Sequence, residues 1–145
     1  MKLSNTGKSM TVVAVFALAL TAAPAAKAAG CSNATLKGTY SDQDTGTIVG
    51  VGPFAGVNVD RFDGNGNITI SGWSSVNGSV SYGVETGTYQ VSADCTGTYT
   101  VADGTIQAFF VIDQGGNELK IVITSQDTVI NCVAEKQFSE NQNQD

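Results

Sequence analysis

Carboxylates are the side chains with the widest chemical repertoire in this sequence, since its 145 residues include thirteen Asp and Glu but no His. Without histidine the chain lacks the commonest general base, the commonest zinc ligand and the partner of a serine or cysteine nucleophile. Hydrolases that use a catalytic triad are therefore effectively excluded.

Most of the carboxylates fall where we predict turns, and we interpret them as solvated turn residues: Asp42, Asp44, Asp63, Asp94, Asp103, Asp113 and Asp127. Glu85 differs because it lies in a predicted strand beside a predicted bulge, and a bulge can turn a side chain into a cavity. We predict no catalytic residues, but if the protein is an enzyme the candidates are Glu85 and Tyr82.

The segment Asp63-Gly64-Asn65-Gly66-Asn67 has the spacing with which a calcium loop places oxygen ligands. The rest of that pattern is missing, because Ile68 stands where the loop needs Gly and Ser74 where it needs Glu. We therefore predict a hairpin loop and neither a metal nor a cofactor, with Asp63, Asn65 and Asn67 as the weak metal candidates.

Three aromatic residues are the candidate ligand contacts: Trp73, Tyr82 and Phe110. Trp73 is the only tryptophan, and serines flank it at 71, 74 and 75. Its ring could stack on a sugar or an aromatic ligand, or it could be a partly buried packing residue.

Short runs of β-branched and aromatic residues, separated by Asn77-Gly78 and Asp103-Gly104, predict antiparallel hairpins. No window shows a helical stripe, so we predict an all-β fold. It has eight strands, near 35–42, 46–62, 67–75, 79–91, 97–103, 105–113, 118–125 and 128–136. Every connection is short, which favours an up-and-down order closed into a β-barrel without exposed edges.

Two irregularities are predicted within these strands. The long second strand should bend at the glycines between Gly50 and Gly56, and a change of apolar parity after Val84 should place a bulge near 85–87. Phe109, Val111 and Val122 lie opposite the predicted inner face, so something could cover that outer surface.

The amino terminus has the pattern of a secretory signal peptide. Lys2 and Lys8 precede an apolar run over 11–23, and Ala26-Lys27-Ala28 suits cleavage before Ala29. We predict a signal peptide at 1–28, one barrel domain at 29–136, a disordered polar tail at 137–145, and a secreted or periplasmic location. Lipoprotein processing at Cys31 is the alternative.

Three cysteines predict one disulfide in an oxidising compartment. Alternating the strands places Cys31 and Cys95 at one end of the barrel, so we predict that they pair, with the amino-terminal segment as a plug across the floor. Cys132 would then be a packing residue. The alternative is a Cys31–Cys132 pair, because closure brings the first and last strands together.

The mature chain would carry a net charge of −9, since four basic residues face thirteen carboxylates after cleavage. Such a surface repels nucleic acid and anionic lipid, so we expect neither nucleic-acid binding nor membrane insertion. The end opposite the disulfide would carry Asp42, Asp44, Asp103 and Asp127. We predict that this end is the open mouth, and that its ligand is neutral or cationic.

Four segments, CSNATLKGTY, VGVGPFAGV, RFDGNGNI and GTYQVSADCTGTY, together resemble a group of small secreted, mostly uncharacterised bacterial β-barrel proteins. The resemblance runs from Cys31 to about Val111 and implies no known chemistry. More loosely, the meander is similar to calycin-like barrels, namely lipocalins, avidins and allene oxide cyclase-like proteins, although the lipocalin Gly-x-Trp signature is absent near the first strand.

Three functions remain open at this point. The leading expectation is an exported, non-catalytic barrel that binds a small ligand or a partner. One alternative is an isomerase or cyclase like the allene oxide cyclases, in which a shaped cavity restrains a reactive substrate. Another is a structural surface or matrix protein, favoured if Phe109 and Val111 form an exposed apolar patch.

Overall fold

The computed structural model describes residues 30–137, which form a closed antiparallel barrel with the up-and-down order β1 to β8. The eight strands are β1 (Gly38–Ile48), β2 (Gly52–Phe62), β3 (Asn67–Val76), β4 (Ser79–Val91), β5 (Thr96–Val101), β6 (Ile106–Asp113), β7 (Glu118–Ile123) and β8 (Thr128–Lys136). The predicted fold class is therefore confirmed. The predicted signal peptide at 1–28, and positions 138–145 of the predicted tail, lie outside the described residues.

The hairpin turns form where the sequence supplies residues that tolerate a left-handed backbone. Asn77 (φ 48°) and Gly78 (φ 87°) link β3 to β4, while Ala102 (φ 53°), Asp103 (φ 53°) and Gly104 (φ 92°) form a short 3-10 turn between β5 and β6. Positive φ at two successive residues suits the right-handed twist of the flanking strands.

The first turn lies later than we predicted. β1 continues through Asp44 to Ile48, and Val51 donates its amide proton to the Ile48 carbonyl in the turn (3.0 Å). Gly46, which we placed at the start of the second strand, lies inside β1 and lets β8 approach closely, because a Cβ there would lie 2.6 Å from the Ile130 Cα. The bend predicted inside a long second strand is thus the β1–β2 hairpin itself.

The predicted bulge at 85–87 is also absent, since the β3–β4 register runs unbroken from Asn67↔Thr88 to Val76↔Ser79. The change of apolar parity has another cause. Val80, Tyr82 and Val84 point outward and are each more than half exposed, whereas Tyr89 points into the core. The upper part of β4 therefore carries its apolar side chains on the outer surface.

The lower end of the barrel is closed and packed. Tyr40, Phe62 and Tyr89 form an edge-to-face chain, with ring centroids 5.4 and 5.0 Å apart. Below them a short 3-10 helix, Asn33–Leu36, buries Leu36 completely. Asn33 accepts hydrogen bonds from the Tyr89 hydroxyl (2.9 Å) and the Val91 amide (2.8 Å), so the amino-terminal segment plugs the floor as predicted.

The predicted Cys31–Cys95 disulfide is present and ties this plug to the β4–β5 turn, while Cys132 is free and buried. This pairing excludes the two alternative uses of Cys31. Both a Cys31–Cys132 bridge and lipid attachment would use the Cys31 sulfur that the disulfide occupies.

The upper end is less complete because the strands differ in length. β4 has thirteen residues and β5 only six, and their ladder runs from Gly87↔Val101 to Val91↔Gly97. Within the described chain, 79–86 therefore pairs with β3 alone. The short 3-10 helix Ala102–Gly104 follows β5 and contacts β4, and beyond it no strand lies beside the upper part of β4 on that side of the barrel wall.

Candidate ligand-binding cavity

A cavity of about 510 Å³ occupies the upper half of the barrel. It reaches the rim at Thr105, Gln126 and Thr128, beside the β5–β6 and β7–β8 turns. This is the end that the alternation of strands marks as the mouth, opposite the disulfide. A volume of this size suits a small organic molecule.

The cavity has an apolar wall and a polar base. Asp42, Asp44, Asn58 and Tyr99 lie at its base. The wall consists mainly of aliphatic side chains with one phenylalanine: Ile48, Phe54, Ile70, Val101, Ile106, Ile123 and Ile130. A ligand that fills it would meet carboxylates at one end and hydrocarbon along its body.

Asp42 and Asp44 are not the solvated turn residues that we predicted. Both belong to β1, where alternate residues share a face, and they follow Tyr40 on the inward side. Asp42 is 4% exposed and Asp44 is 9% exposed. The prediction was wrong because the first turn was placed between 42 and 46, whereas β1 ends at Ile48.

A third carboxylate, Asp60 on β2, is fully buried below these two. Asn58 donates from Nδ2 to Asp44 Oδ2 (2.6 Å) and, more weakly, to Asp42 Oδ2 (3.4 Å). Within residues 30–137, Asp42 Oδ1 and both Asp60 oxygens have no hydrogen-bond partner. Asp42, Asp44 and Asp60 are called the aspartate cluster below.

Two glycines make room for the cluster. A Cβ at Gly56 would lie 2.8 Å from Asp44 Oδ2, and a Cβ at Gly72 would lie 2.7 Å from the Asn58 Cα. Neither position could carry a larger residue without moving the polar side chains. The base of the cavity is thus built from side chains of β1 and β2 packed against glycine.

The aspartate cluster is buried and has no cation beside it among the described residues, and this raises the pKa values of its carboxyl groups. Burial and the nearby Asp60 and Asp44 carboxylates raise the pKa of Asp42 to about 9, while burial and Asp44 raise the pKa of Asp60 to about 7. The ion pairs of the described chain join only Lys120 to Asp113 and Glu118 on the surface. The cluster therefore holds protons at neutral pH that exposed aspartates would have lost.

Cys132 adds a sulfur atom to this region. Ligand atoms of Asp42, Asp44 and Cys132 all lie within 4.8 Å of one another, so together they could hold a metal ion. Burial raises the pKa of the Cys132 thiol, and the neighbouring Asp44, Asp42 and Asp60 carboxylates raise it further. A metal would have to displace that proton before the thiolate could bind it.

The residues predicted to form a site lie in different places. Glu85 points inward from β4 and lines the cavity, and Tyr82 borders its side opening. Trp73 is 60% exposed on the outer surface, where its ring packs against Tyr82 with centroids 5.4 Å apart. Phe110 is buried beside Tyr99, with its ring against Gly97.

The predicted loop at 63–67 forms the β2–β3 hairpin at the closed end. Asp63 accepts hydrogen bonds from the Asn65 amide (2.7 Å), the Asn67 amide (2.9 Å) and Asn67 Nδ2 (2.6 Å). These bonds lower the pKa of Asp63 to about 2. The three weak metal candidates thus bond to one another as a turn.

The outer surface carries two groups of exposed apolar side chains. Val57, Trp73 and Tyr82 lie side by side across β2, β3 and β4, while Phe109 and Val122 are directly opposed across β6 and β7. Phe109 is 40% exposed. No described segment covers the first group, whose members are all more than half exposed.

Comparison of the chain with protein-family models, with curated proteins and with solved structures gave no match. Within residues 30–137, no helix has both the length and the apolar character that crossing a membrane requires. The site must therefore be interpreted from its own geometry.

Sequence reasoning missed the aspartate cluster as a site. No apolar alternation marks them, because Ser41 and Gln43 between them are polar as well, although Tyr40, Asp42 and Asp44 share one face of β1 in the structure. Two aspartates close to a glycine are typical of turns, which is how we interpreted them. Asp60 lies on β2 between Val59 and Arg61, and nothing in that local sequence indicates that its side chain is buried.

Proposed function

We propose that the protein is an exported, non-catalytic barrel that binds a small neutral or cationic ligand in its cavity. One observation carries the proposal: a cavity of about 510 Å³ reaches the rim of the barrel and ends at buried carboxylates whose hydrogen bonding is incomplete. Orphaned acceptors in a buried site are costly unless a ligand or a proton satisfies them.

The disulfide supports the exported location. Bonds of this kind persist in oxidising compartments, so Cys31–Cys95 fits a secreted or periplasmic protein. The signal-peptide pattern at 1–28 favours the same location.

Native mass spectrometry of the purified protein, after incubation with a metabolite extract from the source cells, tests the binding function. We expect one ligand per barrel, and we expect it to be lost when Ile106 at the mouth and Ile123 are both replaced by Trp to fill the cavity. A Val129→Trp substitution on the outer surface is the matched control. A barrel that retains no small molecule from any extract would contradict the proposal.

An isomerase or cyclase is the second candidate. The inward-facing Glu85 in the cavity wall favours it, as does Asp42, which holds a proton that could be donated to a bound substrate. The two functions differ in what happens to the ligand. A binding protein returns it unchanged, whereas an isomerase or cyclase returns a rearranged product, which in heavy water carries deuterium only if a side chain such as Asp42 donates a proton to it.

A structural surface protein is the third candidate, favoured by the exposed apolar residues Val57, Trp73, Tyr82 and Phe109. Assembly through these faces would make the sedimentation coefficient depend on concentration. Trp73→Ser and Phe109→Ser would each reduce that dependence if its face mediates assembly.

A further inference from the structure

The aspartate cluster has more hydrogen-bond acceptors than donors. Asp42 Oδ1 and both oxygens of Asp60 are unpartnered, although Asp42 is 96% buried and Asp60 completely so. The Asn58 amide is the donor directed at the cluster from β2, and the Cys132 thiol approaches Asp44 from β8. What the cluster lacks is a donor with a positive charge.

The basic residues of the described chain do not supply it. Lys120 pairs with Asp113, Arg61 donates to Ser71 on the outer surface, and Lys136 lies over the Tyr40 ring near the floor. Lys37 is exposed beside the closed end. A cation that meets Asp42 and Asp44 must therefore come from solution.

The shape of the cavity limits what that cation can be. Above the carboxylates the wall is formed by apolar side chains such as Ile48, Phe54 and Ile106. A bare metal ion would leave that hydrocarbon surface unused, and a small polyol would not neutralise the base. A molecule with a charged head and an apolar body satisfies both parts.

We propose that the cavity binds a primary amine with a compact apolar body, whose ammonium group donates to Asp42 and Asp44 while the body lies against the isoleucine wall. A primary ammonium offers three N–H donors on one small centre, which suits acceptors converging from adjacent strands. A quaternary ammonium carries the charge without these donors. The inference rests on the proposed binding function and names its ligand class.

Proton release is an expected consequence of this binding mode. The groups that face Asp42 are Asp44 on its own strand, Asn58 and Asp60 on β2, Glu85 on β4, Tyr99 on β5 and Cys132 on β8. Since none of them is cationic, a bound ammonium would favour the ionised form of Asp42. At pH 7 binding should release a proton to the buffer.

Isothermal titration calorimetry with three probes of one shape tests the proposal: phenethylamine, 2-phenylethanol and phenethyltrimethylammonium. For the unaltered protein we expect phenethylamine to bind at least ten-fold more tightly than either of the others. Its apparent enthalpy should change with the ionisation enthalpy of the buffer, because protons are released. In the Asp42→Asn/Asp44→Asn variant the amine should lose this advantage, whereas Glu135→Gln, an exposed carboxylate on β8, should retain it.

Equal affinity for the amine and the alcohol would overturn the amine assignment and leave the binding function standing. Binding of the quaternary ammonium as tightly as the amine would also overturn it, because charge without donors would then suffice. So would a cobalt(II) titration that produced a thiolate charge-transfer band absent from Cys132→Ser. If none of the three probes bound, the amine assignment would fail, and the binding function would be judged by the extract experiment.

Discussion

Asp60 is a carboxyl group with no exposed surface and no hydrogen-bond partner among the described residues. Most buried polar groups in proteins are paired, so an exception of this kind usually has a function or depends on a proton or ligand. Here the proton is retained because burial, with the nearby Asp44 carboxylate, disfavours the charged form. The unpartnered carboxyl group of Asp60 therefore destabilises the fold.

The free energy of unfolding should fall as the pH rises from 5 to 9. Unfolded aspartates ionise near pH 4, whereas Asp60 and Asp42 stay protonated in the fold to about pH 7 and about pH 9. Over this window the folded protein binds more protons than the unfolded chain. The stabilisation is complete below pH ~4 and is lost as the pH passes through the folded pKa values.

Urea denaturation at pH 5, 7 and 9 measures this dependence. Asp60→Asn should flatten it and raise the stability at pH 9 by on the order of 1 kcal/mol, since a buried charge is no longer formed. Glu135→Gln should leave the slope unchanged, because Glu135 is exposed. A protein whose stability rose steadily from pH 5 to pH 9 would contradict the burial argument.

At the scale of elements, the difference in length between β4 and β5 is the main departure from a regular barrel. The upper half of β4 has β3 on one side and no strand on the other. Edges of this kind invite pairing with other chains unless they are protected. In this protein the open edge also forms part of the border of the cavity, where Ser81 and Gly83 lie.

Gly72 and Gly83 are cross-strand partners on the inner face, yet they should respond oppositely to alanine. A Cβ at Gly72 would collide with the Val57 carbonyl and the Asn58 backbone, so Gly72→Ala should cost about 1 to 3 kcal/mol. At Gly83 the nearest atom is a Glu85 oxygen 3.9 Å away. Gly83→Ala should be neutral or stabilise by roughly 0.5 kcal/mol through the unfolded chain.

Thermal unfolding of Gly72→Ala and Gly83→Ala compares their stabilities directly. Each serves as the control for the other, because both replace a glycine of the same inner layer with the same residue. Similar melting temperatures for the two variants would contradict the difference in packing at the two positions.

The disulfide should stabilise the closed end through the length of the loop it closes. Cys31 and Cys95 are separated by 64 positions, for which the chain-entropy model gives about 4 kcal/mol. Cys31→Ser/Cys95→Ser should therefore lower the free energy of unfolding by about that amount. Chemical denaturation measures the loss, and Cys132→Ser is the control that removes a thiol without opening a loop.

The same variant tests whether the plug and the cavity are independent. The disulfide lies at the floor, and the cavity occupies the other end of the barrel. The ligand affinity of the folded Cys31→Ser/Cys95→Ser variant should change less than two-fold. A large loss of affinity would mean that the floor plug positions the aspartate cluster.

At the scale of the whole molecule, the carboxylates of the open end lie at two levels, the rim of the barrel and the base of the cavity. The sequence carries a net charge of −6, and Asp103 and Asp127 lie in the turns near the mouth. Exposed charges near an opening attract a cation from solution, and salt screens the attraction. Buried charges are screened much less.

We expect the rim to govern association and the base to govern dissociation. Asp103→Asn/Asp127→Asn should slow the association of phenethylamine several-fold at low salt and have little effect at high salt. Asparagine suits the left-handed backbone at both positions, so the turns should be retained. Asp42→Asn/Asp44→Asn should instead accelerate dissociation at every salt concentration.

Stopped-flow fluorescence of the tyrosines and Trp73 at two ionic strengths separates the two rates. The control is a variant that removes a negative charge away from the rim. Asp63 and Asp94 are unsuitable because their turns depend on their hydrogen bonds, so Glu135→Gln is used again. Rim variants whose association rate equalled that of the unaltered protein at low salt would show that steering has no part in binding.

Local chemistry was sufficient for the fold class because most hairpins are marked by a few neighbouring residues, although the first turn was misplaced. Asn77-Gly78 and Asp103-Gly104 require a left-handed backbone, and the β-branched runs between such pairs fit strands, so eight strands and their order followed from the sequence. The Cys31–Cys95 pairing followed in turn, because alternating directions sorts the turns to two ends.

Tertiary structure alone decided the site, because which face of a strand meets the core depends on where its turn lies. A first turn at 42–46 would leave Asp44 in solvent; the turn after Ile48 instead extends β1 and buries Asp42 and Asp44 beside Asp60. Gly46 stays in the strand because β8 passes too close for any side chain, a contact between positions more than eighty residues apart. Such a long-range contact leaves no local mark in the sequence, so the buried carboxylates became recognisable only in the closed barrel.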